Sequence, residues 1–172
     1  MDPETAQRVG QAIVTWALTH PHPNPIGIQI AGGKEYLPHQ IAEEVQKRTA
    51  DGKRLLWTVV LASPLEELLL EHEQDEYGRL RPTDHAFKVT VELVSDARRL
   101  MGPSFPKAST STDSEGGIRL TWTRGKREVR LICAAAPSMR TYVYRETEKW
   151  HETSKDVSSE VLVEWLNWLR CE

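Results

Sequence analysis

The clearest pattern of apolar and polar positions lies in residues 116–169. Ile118, Leu120 and Trp122 alternate with polar residues, which is the period of a strand with one buried and one solvated face. A second alternation follows a basic turn at Gly125, where glycine can adopt the positive φ of a tight hairpin. The two runs therefore predict an antiparallel pair of strands.

A third strand and a terminal helix are predicted to complete this unit. In the run from Arg140 to Glu146, Tyr142 and Tyr144 fall on one face and Val143 on the other, which gives a three-stranded antiparallel meander. Ser158 and Ser159 are candidate caps for a final helix. The apolar positions of this helix recur at helical spacing: Val161, Leu162, Trp165, Trp168 and Leu169. We expect the helix to lie across the meander.

The first half of the chain shows mainly helical periods, separated by turns rich in proline and glycine. Helices are predicted around Trp16, Ile41, Leu56 and Leu68, with one short strand at residues 26–30. A further helix is predicted over residues 83–101, and the Ser-, Thr-, Pro- and Gly-rich residues 103–116 predict an exposed connection. The predicted class is α+β, with a mainly helical domain at 1–82 and an α+β domain at 83–172.

Composition and cysteine usage restrict the class of protein. The chain has 172 residues, 39% of them hydrophobic, which is an ordinary globular composition. It has no apolar run near the length of a membrane span and no secretory leader, so neither membrane insertion nor secretion is expected. Cys133 and Cys171 form neither a disulfide framework nor a zinc motif, and a cytoplasmic location is expected.

The net charge of -3 conceals two oppositely charged segments. Residues 117–147 contain seven basic and two acidic side chains, whereas residues 64–76 contain six acidic and no basic ones. Arg119, Arg130 and Arg145 occupy polar strand positions of the basic segment. With Trp165 and Trp168 they are the predicted contacts to a protein partner, because tryptophan and arginine often anchor interfaces.

The basic segment has a second interpretation. Arg124, Lys126 and Arg127 crowd the predicted hairpin, and arginine beside tyrosine on a sheet can bind nucleic acid through phosphate contacts and stacking. No motif of a known RNA-binding sheet accompanies them. Solvation, or pairing with the acidic segment inside the molecule, is a third interpretation.

Candidate catalytic and metal-binding groups lack the partners that their chemistry needs. Gly32-Gly33-Lys34 before a helix could hold an anion, but it lacks the spacing of a P-loop. His20 and His22 have no second ligand pair at zinc spacing, and Cys133 faces inward on a predicted strand. His72, beside Glu71 and Glu73, has no identifiable catalytic partner. The acidic residues Glu66, Glu67, Glu71 and Glu73 favour a solvated face or a docking surface. We therefore predict no catalytic residue, no metal site and no cofactor.

A resemblance bears on the functional expectation. Residues 116–122, the basic turn, Tyr142-Val143-Tyr144 and the helix from Leu162 to Leu169 resemble small uncharacterised bacterial proteins encoded near toxin-antitoxin or phage-defence genes. Residues 32–36 and the helix after them resemble a recurring bacterial element. The resemblance carries no catalytic motif and implies a genomic neighbourhood only.

These observations together predict a non-enzymatic protein-binding partner. Examples of such a role are an antitoxin-like inhibitor, a regulatory subunit or an adaptor of a defence effector, with the partner encoded by an adjacent gene. A nucleic-acid-binding regulator is the alternative, and an enzyme with a dispersed site is a third hypothesis that no motif supports.

Overall fold

The structure is a computed structural model that describes residues 2–19, 27–30, 33–63, 65–70 and 81–171. The helices are α1 (Pro3–Thr19), α2 (Pro38–Gln46), α3 (Ala50–Leu61), α4 (Leu65–Leu70), α5 (Asp84–Met101) and α6 (Ser159–Arg170), with a 3₁₀ helix at Gly102–Ser104. The strands are β1 (Ile28–Gln29), β2 (Glu35–Tyr36), β3 (Ala62–Ser63), β4 (Ala108–Thr112), β5 (Ile118–Arg124), β6 (Arg127–Cys133), β7 (Tyr142–Glu146) and β8 (His151–Ser154). The predicted α+β class is confirmed. Each described helix is too short or too polar to cross a membrane.

The N-terminal helices pack on one another and on α5. The buried stripe of α1 contains Val9, Ile13 and Trp16, as its apolar period predicts. Trp16 packs on Phe87 of α5 with the two ring centroids 4.4 Å apart. The apolar core therefore continues across residue 82, and the division into domains there stays a prediction.

The C-terminal sheet contains more strands than predicted. Strands β4 to β8 form a five-stranded antiparallel meander, and the two-residue β3 adds a parallel sixth strand beside β4. The prediction of three strands and of an exposed connection over residues 103–116 was wrong. The reason is that β4 and β8 are polar and show no apolar period, so that pairing with their neighbours determines them. Phe105 and Ala108 of the supposed connection are buried.

The predicted hairpin and helix cap are confirmed. Arg124 pairs with Arg127, so Gly125 and Lys126 form a two-residue turn. Gly125 has a φ of 59° and Lys126 lacks a positive φ, a combination typical of a type II′ turn. At the start of α6 the hydroxyl of Ser158 accepts a hydrogen bond from the backbone N–H of Val161 at 3.3 Å.

The two faces of the sheet have different surroundings. Helices α5 and α6 pack on one face, which buries the inward residues of β5 and β6; we call it the covered face. The opposite face, which we call the open face, carries Arg119, Arg130, Tyr142 and Tyr144. All four of these side chains are partly or fully exposed. The predicted separation of the two tyrosines from Val143 is confirmed, since Val143 is fully buried.

Candidate protein-interaction site

The three predicted partner-binding arginines lie on both faces of the sheet. Arg119 and Arg130 lie on the open face, whereas Arg145 pairs in register with Val129 and Glu152 on the covered face. An arginine at an inward position needs a partner, because an unpaired buried charge is costly. The structure therefore separates Arg145 from the other two arginines and brings it to α6.

Arg145 joins Arg127 and three tryptophans in one group, which we call the arginine–tryptophan cluster. Its members are Arg127, Arg145, Trp150, Trp165 and Trp168. They come from β6, β7, the β7–β8 turn and α6. The cluster thus includes both predicted tryptophans and one of the three predicted partner-binding arginines.

The guanidinium of Arg145 lies at the centre of the cluster. Its carbon atom is 5.0 Å from the ring centroid of Trp165, 5.3 Å from that of Trp168 and 5.7 Å from that of Trp150. Its Nε and Nη2 atoms donate to one carboxylate oxygen of Glu152 at 2.9 Å and 2.6 Å. The Arg145 side chain is 18% exposed. Ring contacts and an ion pair together fix its orientation.

Trp150 forms the exposed part of the cluster. It is 44% exposed, and its ring centroid lies 5.5 Å from that of Trp168 at an interplanar angle of 60°. Trp165 is 4% exposed and belongs to the core, while Trp168 is partly buried. Sequence reasoning missed Trp150, because it lies in a turn outside the predicted strands. An isolated tryptophan between charged residues was the only available signal.

The basic residues of the β5–β6 hairpin bind other parts of the chain. Arg124 donates to the carbonyl of Arg170 at 2.7 Å, and Arg127 donates to the carbonyls of Trp168, at 3.0 Å, and Cys171. Lys126 forms an exposed ion pair with Glu148 at 2.9 Å. The two arginines thus satisfy carbonyls at the C-terminal end of α6.

The open face has no net basic charge over β5 to β7. Its charged residues there are Arg119, Arg130, Glu128 and Glu146. Arg130 pairs with Glu128, donates to the Tyr144 hydroxyl and approaches Glu146 at 3.9 Å. Burial lowers the pKa of Arg130, but Glu128, Tyr144 and Glu146 together outweigh burial and raise it overall. The seven basic residues of segment 117–147 do not form one basic surface.

The other candidate groups that the structure describes show no assembled chemistry. Burial raises the pKa of the Cys133 thiol to about 12, which makes it a poor nucleophile. Lys34 lies 5.4 Å from the ring centroid of Tyr36, while Gly32 of the candidate anion loop lies outside the described residues. So do His20, His22, Glu71, His72 and Glu73, and the side chains of Glu66 and Glu67 are likewise not described. Within the described ranges, no group of three His, Cys, Asp or Glu side chains could hold a metal ion.

Comparison with protein-family models, with curated proteins and with solved structures found no match for this chain.

Proposed function

We propose that the chain is a non-enzymatic protein-binding partner that contacts its partner through the arginine–tryptophan cluster. The observation that supports this proposal is the tilted ring contact of the exposed Trp150 with Trp168, both of them beside the guanidinium of Arg145. Tryptophan and arginine are the residues that most often provide the binding energy of protein interfaces. An exposed tryptophan held in this way offers a large apolar area to a partner.

The cluster is ordered before any partner binds. Glu152 holds Arg145, and the carbonyl of Trp168 holds Arg127, so the aromatic rings rest on fixed cations. Ordering a flexible side chain at an interface costs about 0.5–1.5 kcal/mol, and a preformed cluster avoids most of this cost. This preorganisation favours recognition over simple solvation.

The kind of partner follows from the predicted genomic setting. We propose a bacterial defence or toxin-antitoxin protein encoded by an adjacent gene, for which this chain acts as an antitoxin-like inhibitor, a regulatory subunit or an adaptor. The physical requirement on the partner is an apolar pocket that receives the Trp150 ring. Acidic groups at the rim of that pocket would complement Arg127 and Lys126.

Binding to the product of the adjacent gene tests the proposal. Trp150→Ala is expected to weaken binding about thirtyfold or more, as truncation of a central interface tryptophan does. Met139→Ala is the matched control, because Met139 is 43% exposed and lies outside the cluster. Calorimetry measures both affinities, and circular dichroism checks that each variant is folded. A folded Trp150→Ala variant with full affinity would contradict the proposal, as would an adjacent gene product that fails to bind the wild type.

A nucleic-acid-binding regulator is the second candidate function. Tyr142, Tyr144, Arg119 and Arg130 share the open face, an arrangement that can stack bases and contact phosphates. Glu128 and Glu146 on the same face weaken this candidate, because both lie within ion-pair distance of Arg130.

Labelled single-stranded RNA distinguishes the two functions. If this second function is correct, binding falls steeply as salt increases, and Tyr142→Ala and Arg119→Gln each weaken it. The cluster proposal predicts instead that the RNA binds weakly and that both variants bind it as the wild type does.

A further inference from the structure

Trp57 of α3 lies between two clefts on the helical side of the molecule. The first cleft, between α1, α2 and α3, has a volume of about 450 Å³. The second, between α3, α5 and the 3₁₀ helix, has a volume of about 510 Å³. Both volumes lie within the range of pockets that hold ligands. None of their lining residues belongs to the arginine–tryptophan cluster.

The lining of both clefts combines apolar side chains with positive charge. The first is lined by Arg48 and Lys53, the second by Arg54, Arg98 and Arg99, and no Asp or Glu is among the described residues of either lining. Two of these arginines have acidic partners outside the clefts, since Arg54 pairs with Asp51 at 2.6 Å and Arg99 with Asp96 at 3.4 Å. The clefts are thus basic in a chain whose net charge is -3.

Arg98 is the cation best placed to receive a carboxylate. Its guanidinium carbon lies 4.9 Å from the ring centroid of Trp57. Burial lowers the pKa of Arg98, and among the described residues no acidic side chain pairs with it. A partly desolvated guanidinium without an anionic partner gains charge-assisted hydrogen bonds when a carboxylate arrives. The aromatic ring beneath it keeps the planar group oriented toward the cleft.

We propose that the two clefts beside Trp57 bind an acidic, partly apolar peptide segment of a second partner protein. Carboxylates of the segment pair with Arg98 and its neighbouring cations, and apolar side chains enter the clefts on each side of the tryptophan. From Lys53 to Leu61, α3 rises about 12 Å, the length of about four residues of extended peptide. This length suits a peptide better than a compact anion such as phosphate. The site is separate from the cluster and does not depend on the function proposed above.

The proposal is tested with the full chain and two labelled synthetic peptides. One peptide alternates Glu with Leu, and the other has Gln at every Glu position. Fluorescence anisotropy is expected to show binding of the acidic peptide, with about tenfold or greater weakening for the Gln peptide. Arg98→Gln and Trp57→Ala are each expected to weaken binding of the acidic peptide by a similar factor. Lys53→Gln changes an exposed residue, so the variant is expected to fold and to show a smaller loss of binding.

Controls separate this site from general charge attraction and from the cluster. Arg140→Gln removes an exposed arginine outside both clefts and is expected to leave peptide binding unchanged, as is Trp150→Ala. Equal weakening by Arg98→Gln and Arg140→Gln would overturn the proposal. A chain dimer that Arg98→Gln dissociates would identify a second copy as the occupant instead. Binding to anionic phosphatidylglycerol vesicles without binding to the peptide would assign the clefts to a membrane surface.

Discussion

Arg127 contacts Trp168 in two ways. Its guanidinium carbon lies 5.3 Å from the centroid of the Trp168 ring, and its Nη1 atom donates to the carbonyl of the same residue at 3.0 Å. The last carbonyls of a helix accept no hydrogen bond from within the helix, and a cation near them stabilises the helix. A side chain of the β5–β6 hairpin therefore caps α6 and also supports the interaction cluster.

Removing this cap is expected to destabilise the fold. Arg127→Ala should lower the free energy of unfolding by about 1–2 kcal/mol, because it removes hydrogen bonds to the helix end and a cation–π contact. Arg127→Lys should restore only part of the loss, since an ammonium lacks the planar fork. Urea unfolding followed by circular dichroism measures both. Lys126 is the preceding residue and is exposed, so Lys126→Ala should change the free energy of unfolding by less than about 0.5 kcal/mol. A loss as large as that of Arg127→Ala would contradict the capping role of Arg127.

Arg145 is expected to matter more for stability than its partner Glu152. Arg145→Ala leaves a gap among three tryptophans and should cost about 2 kcal/mol. Glu152→Gln should cost less than about 1 kcal/mol, because the Glu152 side chain is 53% exposed and its ion pair is partly screened. Urea titrations give the two values, with tryptophan emission as the signal. A larger loss for Glu152→Gln would contradict the central role of the guanidinium.

Two helical glycines should respond in opposite ways to alanine. At Gly10 an added Cβ would lie 3.6 Å from side-chain atoms of Leu56 and Val45, which is ordinary contact, so Gly10→Ala should stabilise the protein by about 0.5–1 kcal/mol. At Gly52 the added Cβ would lie 2.1 Å from the carbonyl oxygen of Glu44. Gly52→Ala should therefore cost about 1–3 kcal/mol. If the melting temperatures of Gly10→Ala and Gly52→Ala shifted in the same direction, this packing of α2 against α3 would be contradicted.

The two cysteines should differ sharply in reactivity. Cys171 is exposed, whereas Cys133 is fully buried with a thiol pKa of about 12. A thiol-reactive disulfide dye at neutral pH should modify one thiol per native chain rapidly and the second only after unfolding. In Cys171→Ser, the rapid phase should disappear. A rapid phase that persists in this variant would mean that Cys133 is accessible.

The same thiol gives the stability a dependence on alkaline pH. Burial raises the pKa of Cys133 from its ordinary 9.0 to about 12, so the folded state holds the proton more tightly than the unfolded state. This contribution is fully present below pH 9 and falls as the pH rises toward 12. Cys133→Ala should therefore lose less stability than the wild type across that interval, as urea titrations at several pH values would show. If the stabilities of Cys133→Ala and of the wild type fell equally with pH, the thiol would lie in a more polar environment than the structure shows.

Local patterns determined the part of the fold in which one face of each element is buried. The alternation of Ile118, Leu120 and Trp122 predicted β5, and the terminal helix and its serine cap were also predicted correctly. These features could be predicted because burial of one face produces an apolar period in the sequence itself. The helical character of the first half was readable for the same reason.

Contacts between distant residues decided the remainder. Strands β4 and β8 are polar and form only because a neighbouring strand offers hydrogen-bonding partners. No apolar period in the sequence therefore predicts them. Arg145 occupies a position that is polar in sequence, yet it lies on the covered face because Glu152 and α6 supply a charge and aromatic rings there. Trp57 and Arg98 meet only because α3 packs on α5. Sequence alone determined the buried faces of the elements with a clear apolar period, while tertiary packing determined which charges and rings meet, because those energies arise between elements far apart in the chain.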